Sequence, residues 1–131
     1  MKPDVERRIR ETFDGSNNGR LHFGEVIGML GEAGVESYLV DYRGRHATYY
    51  LLDDATLALP IETPEVELAQ QFDAQALVAA IRGAQRGEVM YPEFKRRSML
   101  AGCVGYVVWL AGSHVTYFGR RGETHVERFP D

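Results

Sequence analysis

One segment of the chain occurs twice, and this repeat limits the fold more than any other feature. Residues 33–50 (AGVESYLVDYRGRHATYY) align with residues 101–118 (AGCVGYVVWLAGSHVTYF) at a constant offset of 68, and eight of the eighteen positions are identical. Average composition gives roughly one identity by chance in such an alignment. The same offset also relates Glu25 to Glu93 further upstream. We conclude that the chain is an internal duplication.

The composition is that of one globular domain: 131 residues, 44% hydrophobic and 26% charged. The net charge is −4, with 15 basic residues spread among 19 acidic ones. A nucleic-acid partner is not expected, because no basic stripe is present. No run approaches the roughly 18 apolar residues of a membrane-spanning helix, and the N-terminus is charged, which predicts a cytoplasmic protein without membrane insertion. The single Cys103 excludes an intrachain disulfide.

Each copy changes from a helical to a strand-like pattern at its Ala-Gly pair. In the first copy, apolar residues at helical spacing predict two short helices before the pair. Alternating residues from Val35 predict a strand, followed by a turn at 43–45, a second strand at 46–52 and a third near 56–61. The second copy repeats this order. It predicts helices at 74–86 and 92–100 and strands at 103–111, 113–118 and 123–129.

Neither copy is large enough to bury its own apolar faces, so the two should share one sheet and one core. We therefore predict an α+β fold, a pseudo-twofold duplication of an ααβββ unit with one mixed, mostly antiparallel sheet. The whole chain, 1–131, is then a single domain. Its parts are repeat one at about 1–62, a linker at about 63–72, and repeat two at about 73–131.

The segment 14–25 (DGSNNGRLHFGE) has the spacing of an EF-hand calcium loop. Its ligands would be Asp14, Ser16, Asn18, the carbonyl of Arg20, and Glu25. The corresponding segment 82–93 keeps the glycine and the glutamate but has Arg82, Ala84 and Arg86 at the oxygen positions. A turn followed by a helix start explains the shared residues without a metal. The turn is the preferred interpretation and calcium binding the alternative.

His46 and His114 occupy equivalent positions in the two copies, and a pseudo-twofold axis can bring equivalent residues together. Together with Asp41, Tyr49 and Tyr117 they are the candidates for catalysis in a small-molecule enzyme. The competing interpretation is that each histidine stabilises its own hairpin.

Aromatic residues are concentrated on the predicted strands, where core packing is their usual role. The alternative is an aromatic groove whose hydroxyls, with Asp41, Glu123 or Glu127, orient a small ligand. The residues concerned are Tyr38, Tyr42, Tyr49, Tyr50, Tyr106, Trp109 and Tyr117.

Three segments together resemble the YbcV-like family of small bacterial and phage-associated proteins, whose members are often labelled phage envelope proteins. They are AGVESYLVDYRGRHATYY, GEVMYPEF and AGCVGYVVWLAGSHVTYFGRRGETHVERFP, and the resemblance runs from about Gly19 to Pro130. The family implies no activity, substrate, cofactor or catalytic residue for this chain.

These observations favour a non-enzymatic binding or interaction module without a cofactor, acting on a protein partner, a second copy or a small ligand. The alternatives are the small-molecule enzyme and the calcium-binding domain described above. Strands 56–61 and 123–129 are predicted sheet edges, and pairing through such an edge would give a homodimer.

Overall fold

The computed structural model describes residues 1–130, which form four helices and six strands. The first half contains α1 Pro3–Asn17, α2 Phe23–Glu32, β1 Val35–Asp41, β2 His46–Leu51 and β3 Thr56–Pro60. The second half contains α3 Ala74–Gln85, α4 Tyr91–Leu100, β4 Cys103–Trp109, β5 His114–Gly119 and β6 Thr124–Arg128. Apart from the start of α3, every bound in the second half equals its counterpart plus 68. The predicted duplication is therefore confirmed, element by element.

The six strands form one sheet in the order β3-β2-β1-β4-β5-β6, and every neighbouring pair is antiparallel. At the centre of the sheet, Leu39 of β1 lies opposite Val107 of β4. These two residues are equivalent in the repeat, so the pseudo-twofold axis passes between them. On one side of the axis Tyr38 lies opposite Val108, and the equivalent pairing lies on the other side.

The predicted α+β class with one mostly antiparallel sheet is confirmed, and every strand pair in that sheet is antiparallel. Each half is a meander of short hairpins, which pairs its own strands in opposite directions. A twofold axis perpendicular to the sheet then pairs β1 with its equivalent β4 in opposite directions as well. The topology leaves β3 and β6 as the two edges.

The turns are also duplicated, because the residues with positive φ occupy equivalent positions in the two halves. Gly34 (φ +89°) and Gly102 (φ +83°) each follow the last turn of a helix, where a left-handed residue ends the helix and directs the chain into the sheet. The other pairs are Gly19 with Gly87, Arg45 with Ser113, and Asp54 with Gly122.

Local sequence explains where the helices begin. Pro3 occupies the first turn of α1, where a missing N–H is not needed. The Asp73 carboxylate accepts a hydrogen bond from the N–H of Ala76 (3.0 Å) at the start of α3. The Glu25 carboxylate accepts one from the N–H of His22 (2.9 Å) at the start of α2.

Within residues 1–130, no helix combines the length and apolar character needed to cross a membrane.

The two halves interlock across the axis. The Tyr42 hydroxyl, in the first half, bonds to the Ser98 hydroxyl of α4 (2.9 Å). Phe23 of α2 packs edge-on against Phe129, which follows β6, at a centroid distance of 5.8 Å. Each half thus completes the core of the other.

Hydrogen bonds with the second half hold the backbone of the linker between the halves. The Arg120 guanidinium donates to the carbonyls of Leu68 (2.8 Å) and Ala69 (3.2 Å). The N–H of Asp73 donates to the carbonyl of Ala101 (2.7 Å), at the turn between α4 and β4. This part of the linker covers the end of the α3–α4 pair.

Candidate ligand-binding cavity

The inner face of the sheet, covered by the helices, carries four equivalent pairs of side chains around the axis. The strand register places Tyr38 beside Tyr49 and Tyr106 beside Tyr117. The full set is Tyr38 with Tyr106, Val40 with Val108, Ala47 with Val115, and Tyr49 with Tyr117, and all eight are buried.

A cavity of about 680 Å³ lies between this face and the helices. The wall opposite the sheet is built from equivalent residues of the two halves, which lie in the helices and the adjoining segments. The cavity therefore straddles the pseudo-twofold axis. Half-buried and buried apolar side chains predominate in this wall. The equivalent pairs are Phe13 with Ile81, Leu21 with Val89, Phe23 with Tyr91, Val26 with Phe94, and Ile61 with Phe129.

Hydroxyl groups on one side of the cavity satisfy one another. The Tyr106 hydroxyl donates to the Tyr91 hydroxyl (2.6 Å), whose ring is edge-on to that of Tyr106. Nearby, the Ser98 hydroxyl donates to the Lys95 carbonyl (3.1 Å), which leaves Tyr42 as the donor in its bond with Ser98. These groups belong mainly to α4 and β4.

The other side of the cavity has no equivalent network. The residues equivalent to Tyr91, Ser98 and Tyr42 are Phe23, Leu30 and Leu110, which carry no hydroxyl. On that side the hydroxyls of Tyr38 and Tyr49 form no hydrogen bond with any residue in 1–130. The Tyr117 hydroxyl, beside Tyr106, forms none either. All three hydroxyls are open to the cavity space.

Burial raises the pKa of every tyrosine that lines the cavity, because a phenolate loses its hydration there. Interaction with neighbouring tyrosines or other acidic groups raises several of these pKa values further. All of these hydroxyls are protonated near neutral pH. The tyrosines are Tyr38, Tyr49, Tyr91, Tyr106 and Tyr117.

A polar cluster closes the end of the cavity beside β6. Glu127 accepts hydrogen bonds from Arg82 (2.8 Å), Gln85 (3.3 Å) and His125 (3.2 Å). Burial opposes the charge of Glu127, but these hydrogen bonds outweigh it and lower its pKa. In the first half the residue equivalent to Glu127 is the buried Leu59. The two ends of the cavity therefore differ in polarity.

Lys95 is a buried lysine on α4 that links three segments. Its ammonium donates to the Asn17 side chain (2.9 Å) and to the Glu62 carbonyl (2.7 Å), and it lies 5.1 Å from the centroid of the Tyr91 ring. Burial lowers its pKa, while the Glu62 carboxylate opposes that shift. Lys95 thus fixes Tyr91 and the start of the linker at the cavity wall.

The five predicted catalytic residues lie on opposite faces of the sheet. Tyr49 and Tyr117 face the cavity, whereas Asp41, His46 and His114 lie on the outer face. The sheet separates these groups, so the five cannot contact one small substrate together.

Each predicted histidine contacts its own hairpin. His46 Nε2 is 3.8 Å from the Asp41 carboxylate, and His114 Nδ1 is 3.1 Å from the Gly112 carbonyl. The histidines lie at opposite ends of the sheet, because the antiparallel β1–β4 pair places their hairpins there.

The proposed calcium loop adopts the turn geometry. Helix α1 continues to Asn17, so Asp14 and Ser16 lie in its last turn and point to different sides of the helix. Asp14 is exposed, whereas Ser16 lines the cavity. The Arg20 N–H bonds to the Gly15 carbonyl, and Glu25 caps α2. Calcium coordination by Asp14, Ser16, Asn18, Arg20 and Glu25 would require this turn of α1 to unwind.

Of the other predicted ligand-orienting acids, Glu127 lines the cavity. Glu123 lies at the β5–β6 turn, where its carboxylate accepts from the Arg121 N–H (2.8 Å). Sequence reasoning missed Tyr91, Lys95 and Ser98. A signal for them was present, because each is polar where the other copy has an apolar residue.

Fold and cavity together define a duplicated α+β domain with a ligand-sized cavity on its internal axis. No protein-family model matches the chain. Uncharacterized proteins of Mycobacterium tuberculosis and Mycobacterium bovis are 40% identical to it over 58 residues, which cover 44% of this chain. The match covers 35% of each relative, so the chain spans about a third of the curated proteins it matches.

Proposed function

We propose that the chain is a non-enzymatic binding module that takes one small, mostly apolar organic molecule into the axial cavity. The observation that carries this proposal is a cavity of about 680 Å³ lined mainly by aromatic and aliphatic side chains, with tyrosine hydroxyls on its wall and a polar cluster at one end. Small-molecule sites in proteins typically have volumes of about 300–1,000 Å³ and this kind of lining.

The wall of the cavity favours an organic molecule over water. A space of about 680 Å³ with a mainly apolar lining offers water few hydrogen-bond partners, whereas an apolar molecule loses nothing by leaving solvent for it.

The enzymatic alternative has weaker support. Asp41 and the two histidines are separated from the cavity tyrosines by the sheet. Within the cavity, the Glu127 carboxylate is occupied by its three hydrogen-bond donors, which suits a structural role better than proton transfer. Membership of the YbcV-like family, calcium binding and a homodimer stay predictions.

A titration with N-phenyl-1-naphthylamine, an uncharged probe that fluoresces in apolar surroundings, tests the proposal. We expect saturable binding of one probe per chain. Ala84 and the equivalent Ser16 both line the cavity. Ala84→Trp should weaken binding about ten-fold, and Ser16→Trp with Ala84→Trp should abolish it, because the indoles occupy the probe's space.

Ala79→Trp is the matched control, since Ala79 is exposed on the same helix. It should bind the probe like the parent protein, and circular dichroism should show that all variants are folded. If the parent protein does not bind the probe, or if the double variant binds it unchanged, the proposed cavity site is wrong.

A further inference from the structure

Tyr38 and Tyr49 are directly paired on the neighbouring strands β1 and β2. Their rings are stacked, with centroids 5.1 Å apart and planes 28° from parallel. Both side chains rise from the inner face of the sheet, and both line the cavity.

These two hydroxyls have no hydrogen-bond partner in the part of the chain that the structure describes, although both residues are at most 6% exposed. Because neither hydroxyl is sealed from the cavity space, each is free to donate to a molecule in the cavity. On the equivalent side of the axis, Tyr106 instead donates to Tyr91. Phe23 replaces Tyr91 on the Tyr38 side, so the protein itself offers Tyr38 no such acceptor.

Two stacked phenols can donate to the same atom when their hydroxyls are about as far apart as their ring centroids. A single O–H···O bond spans about 2.7 Å, so one oxygen midway between the hydroxyls can accept from both when they are about 5 Å apart. The raised pKa values of both tyrosines, caused by burial, keep them protonated and therefore available as donors.

The charges around the cavity indicate that this oxygen is uncharged. Arg82 is paired with Glu127 (2.8 Å), Arg86 with Glu88 (3.1 Å), and Lys95 is held by Asn17 and a backbone carbonyl. Of the remaining lining groups, Arg128 is exposed at the rim and His22 lies in the turn before α2. A buried carboxylate would lack a partner cation beside the tyrosine pair, which is strongly unfavourable.

We infer that Tyr38 and Tyr49 form a two-donor subsite for the carbonyl oxygen of an uncharged, otherwise apolar ligand, such as an aromatic ketone. The inference rests on the proposed ligand-binding function and narrows its ligand class. Tyr117, equivalent to Tyr49, is not part of a second such subsite, because its neighbour Tyr106 already donates to Tyr91.

Two compounds of similar shape test the subsite: 2-acetylnaphthalene, which has a carbonyl, and 2-isopropylnaphthalene, which does not. Their affinities are measured by displacement of N-phenyl-1-naphthylamine. The measured quantity is the ratio of ketone affinity to hydrocarbon affinity. We expect this ratio to be about ten-fold higher in the parent protein than in the double variant Tyr38→Phe with Tyr49→Phe. Hydrocarbon binding should be the same in both proteins.

Infrared spectroscopy supplies a readout that a change in packing alone would not reproduce. The carbonyl stretch of bound 2-acetylnaphthalene should lie at lower wavenumber in the parent protein and return to its apolar-solvent position in the double variant. Tyr50→Phe, at an exposed position on the outer face, is the matched control and should leave both the stretch and the ketone affinity unchanged. Tyr117→Phe tests the other side of the axis.

The outcomes separate the two proposals. If both compounds bind but the tyrosine substitutions affect them equally or not at all, the cavity site stands and the carbonyl subsite is wrong. If Tyr117→Phe has the effect expected of the pair, the subsite is on the wrong side of the axis. If the probe binds but neither compound displaces it, the carbonyl subsite is wrong while the cavity site stands; if the probe itself does not bind, both proposals fail.

Discussion

Raising the pH above about 10 should unfold the protein in one steep transition, in which six tyrosines ionise together. The pKa of each is raised in the folded state, chiefly by burial, from an ordinary value of 10.0. They are Tyr38, Tyr42, Tyr49, Tyr91, Tyr106 and Tyr117. Since the unfolded chain loses these protons first, the stability that the tyrosines contribute is fully present below pH 10 and is lost as the pH rises.

The expected effect is large. Each such tyrosine reduces the free energy of unfolding by about 1.4 kcal/mol per pH unit above 10, so six together remove about 8 kcal/mol per unit. This is comparable to the whole stability of a domain, roughly 5–15 kcal/mol, which places the transition near pH 11.

Tyrosinate absorbance at 295 nm and far-ultraviolet circular dichroism, recorded on the same samples, measure this transition. The two signals should change together. Tyr49→Phe should move the midpoint to higher pH, whereas Tyr50→Phe, at an exposed position on the outer face, should not. Gradual ionisation of all tyrosines in a protein that keeps its circular dichroism would show that the cavity tyrosines are accessible to solvent.

Gly102→Ala should be far more destabilising than Gly34→Ala, although the two glycines are equivalent in the repeat. Both have positive φ, where alanine costs about 1–2 kcal/mol. A Cβ at Gly34 meets no atom within 4 Å, whereas a Cβ at Gly102 would overlap the Gln71 carbonyl oxygen. Displacing the linker backbone adds about 1–3 kcal/mol.

Urea unfolding of the two variants measures the difference. We expect Gly34→Ala to lose about 1–2 kcal/mol and Gly102→Ala about 3–4 kcal/mol. The linker hydrogen bond from the Asp73 N–H to the Ala101 carbonyl, beside Gly102, should weaken as well. Equal losses in both variants would mean that the linker does not pack against this turn.

Much of the fold could be predicted, because the duplication supplies two independent patterns for each element. The Ala-Gly pairs marked both transitions from helix to sheet, and in each half the hairpin turn was placed correctly. The prediction was a mixed, mostly antiparallel sheet, because sequence alone did not show that the pseudo-twofold axis passes between Leu39 and Val107.

The candidate site was harder to predict from the sequence than the fold. Alternation of apolar and polar residues along a strand shows that its two faces differ, but not which face the helices cover. The sequence alone therefore could not assign the histidines and the tyrosines to different faces of the sheet. The cavity arises from contacts between the halves, such as Tyr42 with Ser98, that no local pattern encodes. The segment 14–25 has the spacing of a calcium loop, but sequence reasoning did not show that α1 extends into it to Asn17.

The location of a bound ligand tests the central proposal most directly. Nuclear Overhauser effects can be recorded between N-phenyl-1-naphthylamine and the assigned aromatic protons of the full chain. The structure predicts contacts from the probe to the rings of Tyr38, Tyr49, Tyr106 and Tyr117, all in the axial cavity. Contacts to Tyr50 and Trp109 on the outer face instead, with none to the cavity tyrosines, would contradict it.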